Sequence, residues 1–218
     1  MSATMVLADH ARKRLQGLDG VRLMGAKVVD EGYAFEVDPL VLTIDVRALG
    51  ITGYQAAELA RDRYQVDFGS ADTFRISACL THADDHASVD RLLTVLEQLC
   101  GDAPEIASSG PVDLPPSEGL EPEIAMRPRD AFFADIEQVP AAQTAGRVVA
   151  EMVTPYPPGV PVLAPGEVIT EEAIDYLRSG LAAGMLIPDA ADPTLETLRV
   201  VRRDPVSKNP RGATAAAR

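Results

Sequence analysis

Two side chains that could contact a ligand, the phenol of Tyr156 and the carboxylate of Glu167, belong to a segment with five prolines, residues 154–167. Proline fixes its own φ, lacks a backbone N–H and pushes the preceding residue toward extended conformations, so this segment is neither a helix interior nor a central strand. A stiff, extended wall with few polar groups suits the side of a ligand pocket. The alternative is a structural crossover, with Tyr156 packed and Glu167 simply an acid near a helix N-terminus.

His82 and His86 are four residues apart, a spacing that can place two imidazole groups on one helix face. Because Asp84 and Asp85 lie between them, a metal site is conceivable. This is also the predicted start of a helix, where His and Asp are common as caps and solvated groups. We prefer that second interpretation and predict no metal site. His10 stands alone in a helical pattern and is predicted to lie on the surface.

The net charge of the 218 residues is −13, which argues against nucleic acid or an anionic membrane as a partner, since both attract basic surfaces. A hydrophobic content of 46% allows a sizeable core. Cys79 and Cys100 lack metal-ligand spacing, and we interpret both as reduced, buried small side chains. The sequence has no signal-peptide pattern and no apolar run of membrane-spanning length, so we expect a cytoplasmic protein.

The first block, residues 1–102, alternates helix-like and strand-like patterns. Thr52 is predicted to cap one helix, and Asp84 or Asp85 to cap the clearest helix, which carries an apolar stripe up to Leu99. The predicted strands are 21–29, 40–47, 64–68 and 73–80, and residues 5–15 are the end of a helix. These patterns predict an α+β fold, with a small antiparallel or mixed sheet that is covered by helices on one face.

The rest of the chain divides into three parts. Residues 103–126 are rich in proline and acids and have no periodicity, so they are predicted to form a linker. Residues 127–200 are predicted to form a smaller α+β domain, in which a helix begins at Thr170 and can end at Gly184. Within this domain a short helix at 141–145 and strands at 147–153 and 161–164 are predicted. Residues 201–218 are predicted to be a disordered tail.

The proline segment closely resembles part of the C-terminal domain of the Orn/Lys/Arg decarboxylases, as do its flanking residues Ala145-Gly146-Arg147 and Val168-Ile169-Thr170-Glu171-Glu172. Those are pyridoxal-phosphate enzymes of fold type I. The resemblance continues upstream through shorter pieces in the same order, namely Asp38-Pro39, Leu42-Thr43-Ile44, Gly50-Ile51-Thr52-Gly53-Tyr54 and Leu59. Together the pieces resemble the small domain of the family followed by its C-terminal domain, over most of residues 10–200.

This resemblance implies substrate-binding roles for Tyr156 and Glu167, because the proline segment of the family lies near the cofactor and the mouth of the substrate pocket. Glu167 would pair with the distal ammonium or guanidinium group of a basic amino acid. An arginine usually binds the substrate carboxylate in this fold type. Arg47, Arg61 and Arg75 are available for that role, and the sequence does not select one of them.

The residues that hold the cofactor in this family are absent from the sequence. A pyridoxal-phosphate enzyme needs a lysine that binds the cofactor covalently, commonly beside a histidine in this family. The only lysines are Lys13, Lys27 and Lys208, and none follows a Ser-x-His pattern. No glycine- or serine-rich loop leads into a helix that could cradle a phosphate. We therefore expect no catalytic or cofactor-binding residue here, and pyridoxal phosphate only if a cofactor domain completes the chain.

Three functional hypotheses are open. The chain could be the C-terminal subunit of a split decarboxylase, a non-catalytic binding or regulatory module, or a truncated remnant of such an enzyme. We favour a decarboxylase C-terminal region, a lyase by family, that contributes a pocket wall and assembly surfaces and is inactive alone. The expected partners are a separately encoded cofactor domain or further copies of the chain, and an unspecified basic amino acid. Arg147 is interpreted as an ion-pair residue between the two domains.

Overall fold

The computed structural model describes residues 2–106, 112–114, 122–156 and 159–203. Its helices are α1 (Ser2–Gln16), α2 (Ala26–Asp30), α3 (Gly53–Tyr64), α4 (His86–Asp102), α5 (Pro128–Phe132) and α6 (Glu171–Ala182). Its strands are β1 (Arg22–Leu23), β2 (Val41–Asp45), β3 (Ser70–Ala71), β4 (Arg75–Cys79), β5 (Ile136–Pro140) and β6 (Thr197–Val201). Short 3₁₀ helices span Arg47–Leu49, Ala103–Glu105 and Ala141–Gln143. Within the described residues, no helix has the length and apolar character needed to cross a lipid bilayer.

A four-stranded antiparallel sheet, in the order β1-β2-β4-β3, forms the centre of the first block. Leu42 and Ile44 of β2 and Ile76 of β4 are completely buried and join one hydrophobic core with α1, α3 and α4. The intervening Thr43 and Ser77 lie on the other face, where their hydroxyl oxygens are 3.3 Å apart. The predicted α+β class, with an antiparallel sheet and helices packed on one face, is confirmed.

Side-chain caps start the helices where the sequence predicts them. Thr52 accepts a hydrogen bond from the Gln55 N–H at the start of α3, and the Gln55 side chain accepts from the Thr52 N–H. Asp85 makes the equivalent reciprocal pair with Ser88 at the start of α4. Such capping boxes satisfy backbone donors that have no partner within the helix. The buried face of α4 contains the predicted apolar stripe of Val89, Leu92, Leu93, Leu96 and Leu99, and Val95 is buried beside it.

Helix α6 and the two-stranded sheet β5–β6 organise the second block. Thr170 caps α6 by accepting from the Ala173 N–H. After the helix, Gly184 adopts φ +95°, and the Met185 N–H donates to the Gly180 carbonyl at 2.9 Å. This is the left-handed glycine ending that α-helices commonly use, so the predicted role of Gly184 is confirmed.

Several predicted strands are wrong in type or extent. In the segment 21–29 only Arg22–Leu23 is a strand, and α2 follows it directly. The segment 64–68 is not a strand, because α3 continues to Tyr64 and Gln65 then ends it with φ 54°. Short apolar runs fit helix and strand equally well, so tertiary contacts decide between the two.

The proline-rich second block uses isolated bridges where strands were predicted. Residues 147–153 and 161–164 meet other segments only through single pairs such as Val149↔Val200 and Val153↔Leu163. In the segment 161–164, Pro161 donates no ladder hydrogen bond. The extended two-stranded pairing lies instead between β5 and β6, with Val139 opposite Leu198, and β5 was not predicted.

The division into domains at residues 102 and 126 stays a prediction. Residues 107–111 and 115–121 of the predicted linker lie outside the described residues, and so do residues 204–218 of the predicted tail. In the described parts, the Asp113 N–H donates to Ser179 Oγ at 2.9 Å. At the other end, Val201 ends β6 and the Arg202 N–H donates to the Asp135 carbonyl.

Two predicted side-chain environments are wrong. Arg147 does not bridge the two blocks, because its guanidinium pairs with Glu137 and donates to the Val201 carbonyl, both within the second block. Cys79 is exposed rather than buried, since it lies at the end of β4 with its side chain on the open side. Cys100 is partly buried, which raises the pKa of its thiol, and both cysteines are free.

Candidate functional site

A cavity of about 250 Å³ lies where α3 and β3 of the first block meet the turn after α6. Its wall is mostly apolar, and Glu58 and Arg61 supply charged groups. The lining residues are Tyr54, Ala57, Glu58, Arg61, Phe68, Ala71, Tyr156, Leu181, Gly184, Met185 and Leu186. Clefts of this kind, apolar with a few polar groups, are typical small-molecule sites. We call this space the interblock cavity.

Thr52 and Gly53 hold the two sides of this cavity together. Besides capping α3, the Thr52 hydroxyl donates to the Ala183 carbonyl at 3.0 Å, in a buried position. Gly53 has no room for a side chain, because a Cβ atom there would collide with the carbonyl oxygens of Asp72 and Arg75. The sequence Thr-Gly-Tyr therefore docks the start of α3 onto both the sheet and the second block. This structural role agrees with the helix cap predicted for Thr52.

Tyr54 is the buried phenol of the cavity. Burial is the main reason that its pKa is raised to about 12, and the negative charge of Asp72 and the nearby Tyr176 add to the effect. Burial also raises the pKa of Tyr176. Both hydroxyls are therefore protonated at neutral pH and can donate hydrogen bonds. This tyrosine pair was not singled out in the sequence, where only the family-like Gly-Tyr order drew attention to Tyr54.

Tyr156 lies at the mouth of the interblock cavity. Its backbone N–H donates to the Leu186 carbonyl at 2.8 Å, and this bridge fixes the proline segment against the turn after α6. The side chain remains 54% exposed and lines the cavity. Tyr156 thus contributes to the lining of this cavity, and its role in substrate binding stays a prediction.

Glu167 closes a tight turn. Its Oε2 accepts from the Ala164 N–H at 2.8 Å, its own N–H donates to the Ala164 carbonyl, and Gly166 between them has φ +96°. Helix α6 begins only at Glu171, so Glu167 is not an acid of the first helical turn. It is also not among the residues that line the interblock cavity. Tyr156 and Glu167 therefore do not meet in this cavity.

A second cavity of about 270 Å³, which we call the polar cavity after the hydroxyl and charged side chains in its lining, lies beside the first on the open face of the sheet. Ala71 lines both cavities. The other lining residues of this polar cavity are Met24, Thr43, Ser70, Asp72, Arg75 and Ser77.

The structure distinguishes the three candidate arginines. Arg47 pairs with Asp45 and stacks on the Phe74 ring, 5.2 Å from its centroid. Arg61 pairs with Asp67 at 2.5 Å. Arg75 lines the polar cavity and is less well satisfied: its Nη1 is 3.4 Å from Asp72, and its buried Nε has no hydrogen-bond partner.

Comparison with known proteins decides the family. Residues 117–189 match the profile described as Orn/Lys/Arg decarboxylase, C-terminal domain. Arginine decarboxylase of Bacillus subtilis is 35% identical over 202 residues, which cover 91% of this chain and 40% of the relative. The arginine decarboxylase of Halalkalibacterium halodurans is 36% identical over the same shares of the two chains. The chain matches the C-terminal portion of the Orn/Lys/Arg decarboxylase family.

Solved decarboxylase structures show the same fold. The constitutive lysine decarboxylase of Escherichia coli aligns with a TM-score of 0.64 and 18% identity, over 92% of this chain and 40% of that one. The lysine decarboxylase of Francisella novicida gives a TM-score of 0.62 over the same shares. The chain thus spans about 40% of the length of the decarboxylases that it matches.

Two of the three lysines lie within the described residues, and both are exposed. Lys13 lies exposed on α1, and Lys27 is 76% exposed on α2, where it pairs with Glu31. Neither lines the two cavities described above, and Lys208 lies outside the described residues.

The fold brings His86 together with His10, a pair that the sequence spacing does not indicate. The ring of His86 meets that of His10, with centroids 5.9 Å apart, and His10 Nε2 lies 3.5 Å from an Asp90 oxygen. The described residues contain no group of three or more His, Cys, Asp or Glu side chains placed to hold a metal ion. Because His10 is distant in sequence, only the packing of α1 on α4 brings these rings together.

Proposed function

We propose that this chain is the C-terminal region of a pyridoxal-phosphate-dependent decarboxylase of basic amino acids, to which it contributes a wall of the substrate pocket and assembly surfaces. The observation that supports this most strongly is the similarity to arginine decarboxylases over 202 residues, which includes the proline segment. The relatives are named as arginine or lysine decarboxylases, so the proposed substrate class is a basic amino acid. The proposed location is the cytoplasm.

Glu167 would bind the distal cation of the substrate. Its Oε2 is held by the Ala164 N–H, whereas its Oε1 has no hydrogen-bond partner among the described residues. An ionised carboxylate has about four acceptor positions, so the turn leaves capacity for an ammonium or guanidinium group. The left-handed Gly166 and the flanking prolines fix the carboxylate in place, which lowers the entropy lost on binding.

Arg75 would bind the carboxylate of the substrate. Of the three arginines considered, it alone lines the polar cavity and has a buried donor without a partner. A planar guanidinium can hold a carboxylate with two parallel hydrogen bonds. Tyr156, at the mouth of the neighbouring cavity, would offer an aromatic wall to the aliphatic part of the substrate.

The cofactor would come from residues outside this chain. When bound, pyridoxal phosphate stabilises the electron pair that remains on the substrate carbon after carbon dioxide leaves. Neither Lys13 nor Lys27 fits a covalent attachment site, so the proposal gives this chain only binding and positioning roles.

A chimeric enzyme tests this proposal. The matched 202-residue region of the Bacillus subtilis arginine decarboxylase is replaced by this chain, and release of carbon dioxide is measured with arginine, lysine and ornithine. We expect turnover of at least one of these substrates, and none when the region is deleted.

The chimera needs a check of its folding. Cofactor absorbance and a single cooperative unfolding transition show that the remainder of the enzyme is intact. A folded, cofactor-loaded chimera that turns over no basic amino acid would contradict the catalytic proposal and favour a non-catalytic binding or regulatory module.

A further inference from the structure

Two adjacent phenylalanines form an exposed aromatic knob on the second block. Phe132 is 58% exposed and Phe133 is 76% exposed, and their rings meet edge to face with centroids 5.1 Å apart. We define the knob as these two residues with Ile136, which is 38% exposed at the start of β5. Contiguous exposed apolar side chains of this size mark interaction surfaces more often than scattered ones do.

The knob is held rigid by its backbone. Pro128 begins α5, the buried Ala131 anchors the helix, and the Phe133 N–H donates to the Arg129 carbonyl at 3.2 Å. The two rings therefore need little further ordering when a partner covers them, which lowers the entropy cost of binding.

Arginines surround the knob. Arg127 is the N-cap residue of α5 and Arg129 lies within this helix, whereas Arg202 lies against β5, where its side chain donates to the Ile136 carbonyl at 3.2 Å. Arg203 is also exposed. In the described part of the chain, no carboxylate lies within 4.0 Å of the guanidinium group of any of these four arginines. The exposed Asp130 and Asp135 of the same stretch offset part of this charge, so the four arginines leave a small positive excess in a protein with a net charge of −13.

A groove on the first block has an apolar lining with acidic groups beside it. Its volume is about 350 Å³, and its lining is Arg12, Gly25, Val29, Asp30, Phe35, Glu36, Val37 and Pro39. Arg12 clamps this loop by donating to the carbonyls of Pro39 and Val41 at 3.0 and 2.9 Å. Phe35 is 97% exposed and Tyr33 is 80% exposed at its edge. The groove is thus an apolar surface that nothing in the described chain covers.

The charges beside this groove are acidic and unpaired. Asp30, Glu36 and Asp38 are exposed, and none forms an ion pair among the described residues, whereas Glu31 pairs with Lys27 at 3.4 Å. The positive charge of Arg12, whose guanidinium donates to neutral backbone carbonyls in the groove lining, offsets only one of these three carboxylates.

We propose that the aromatic knob of one copy of this chain docks into the groove beside Phe35 of a second copy. The arginine rim of Arg127 and Arg129 would face Asp30 and Glu36, and the phenylalanine rings would cover the apolar lining. The match of aromatic with apolar surface, and of positive with negative charge, selects a second copy among possible partners. This contact does not depend on the decarboxylase proposal. It either occurs twice across a two-fold axis or repeats head to tail.

Charge reversal in the full chain tests the contact. Sedimentation velocity over a concentration series measures self-association of the unmodified chain, of Arg129→Glu and of Glu36→Arg. We expect each single reversal to weaken association by about tenfold or more, because it places like charges opposite each other across the contact. Combining the two reversals restores opposite charges and should recover association. Added salt should weaken the unmodified contact.

Matched variants separate this contact from a loss of fold. Arg178→Glu reverses an exposed arginine on α6, away from the knob, and should associate like the unmodified chain. Phe133→Ser should abolish association. If Phe133→Ser does not fold, the exposed charge reversals still decide the question.

Three results would overturn the proposal. The first is an unmodified chain that stays monomeric at the highest concentration. The second is association that none of the knob or groove variants changes, which would place the interface elsewhere. The third is that knob variants weaken binding of a decarboxylase cofactor domain but leave self-association unchanged.

Discussion

The carboxylate of Asp45 should stabilise the fold by an amount that depends on pH. Asp45 ends β2 and is 5% exposed. It accepts hydrogen bonds from the Arg47 N–H and the Arg47 guanidinium, and Arg22 Nη2 of the neighbouring strand lies 3.3 Å away. The Arg47 side-chain hydrogen bond is the largest cause that lowers the pKa of Asp45 from 3.8 to about 2, against the opposing effect of burial.

Proton linkage gives the sign and the size of the contribution of Asp45 to the free energy of unfolding. Because the folded-state pKa is the lower one, the unfolded chain binds more protons at acid pH. The contribution is therefore complete above about pH 4 and disappears as the pH falls to about 2. At about 1.4 kcal/mol per pH unit, the lowered pKa corresponds to about 2 kcal/mol at neutral pH.

Urea unfolding of Asp45→Asn from pH 7 to pH 3 measures this contribution. We expect a loss of about 2 kcal/mol at pH 7 that shrinks below about pH 4. Asp67→Asn is the control, since the Asp67 side chain is 70% exposed and its pairing with Arg61 should be worth at most about 1 kcal/mol. A loss at Asp45 that is the same at every pH, or no larger than that of the control, would refute the reasoning.

Three further substitutions test other contacts by the same unfolding assay. Gly53→Ala should lower the free energy of unfolding by about 3 kcal/mol or prevent folding, because the added Cβ collides with backbone. Gly101→Ala is the control, since the space around Gly101 in α4 is open, and it should be neutral or stabilising. Equal effects of the two substitutions would contradict this. Glu151→Ala should cost about 3 kcal/mol, because the buried carboxylate accepts from the Ala191 and Arg199 N–H groups, and a loss below about 1 kcal/mol would refute that role. Thr52→Ala should cost about 1–2 kcal/mol, and an unchanged midpoint would contradict its double role as cap and bridge.

Helix caps and helical spacing in the sequence correctly predicted the elements that are set by contacts between residues close in sequence. The start of α4 at Asp85 and its apolar stripe were predicted correctly, because caps and helical spacing act within a few residues. The end of α6 near Gly184 was predicted for the same reason. Strand β5 was missed, since its partner β6 lies about 60 residues later and nothing local signals that pairing.

The candidate site was predictable only in part. Tyr156 lines a cavity that also depends on Leu186 and Tyr54, which are distant in sequence, and its role in a substrate pocket stays a prediction. The hydrogen bond that turns Glu167 back onto Ala164 could not be foreseen from spacing alone, because it needs the left-handed Gly166. The choice of Arg75 among three arginines required the positions of the neighbouring carboxylates.

The central claim is that the carboxylate of Glu167 recognises the substrate cation in a completed decarboxylase. Glu167→Gln keeps an acceptor for the Ala164 N–H but removes the charge, so the turn should survive. Glu167→Ala, the control for the turn, should lower the melting temperature.

In the chimeric enzyme, kcat/KM and melting temperature are measured for Glu167→Gln. A charge-assisted hydrogen bond worth about 1.5–3 kcal/mol predicts a fall in kcat/KM of about ten- to a hundredfold with nearly unchanged stability. Unaltered turnover with a lowered melting temperature would contradict the recognition role and leave Glu167 as a residue of the turn alone.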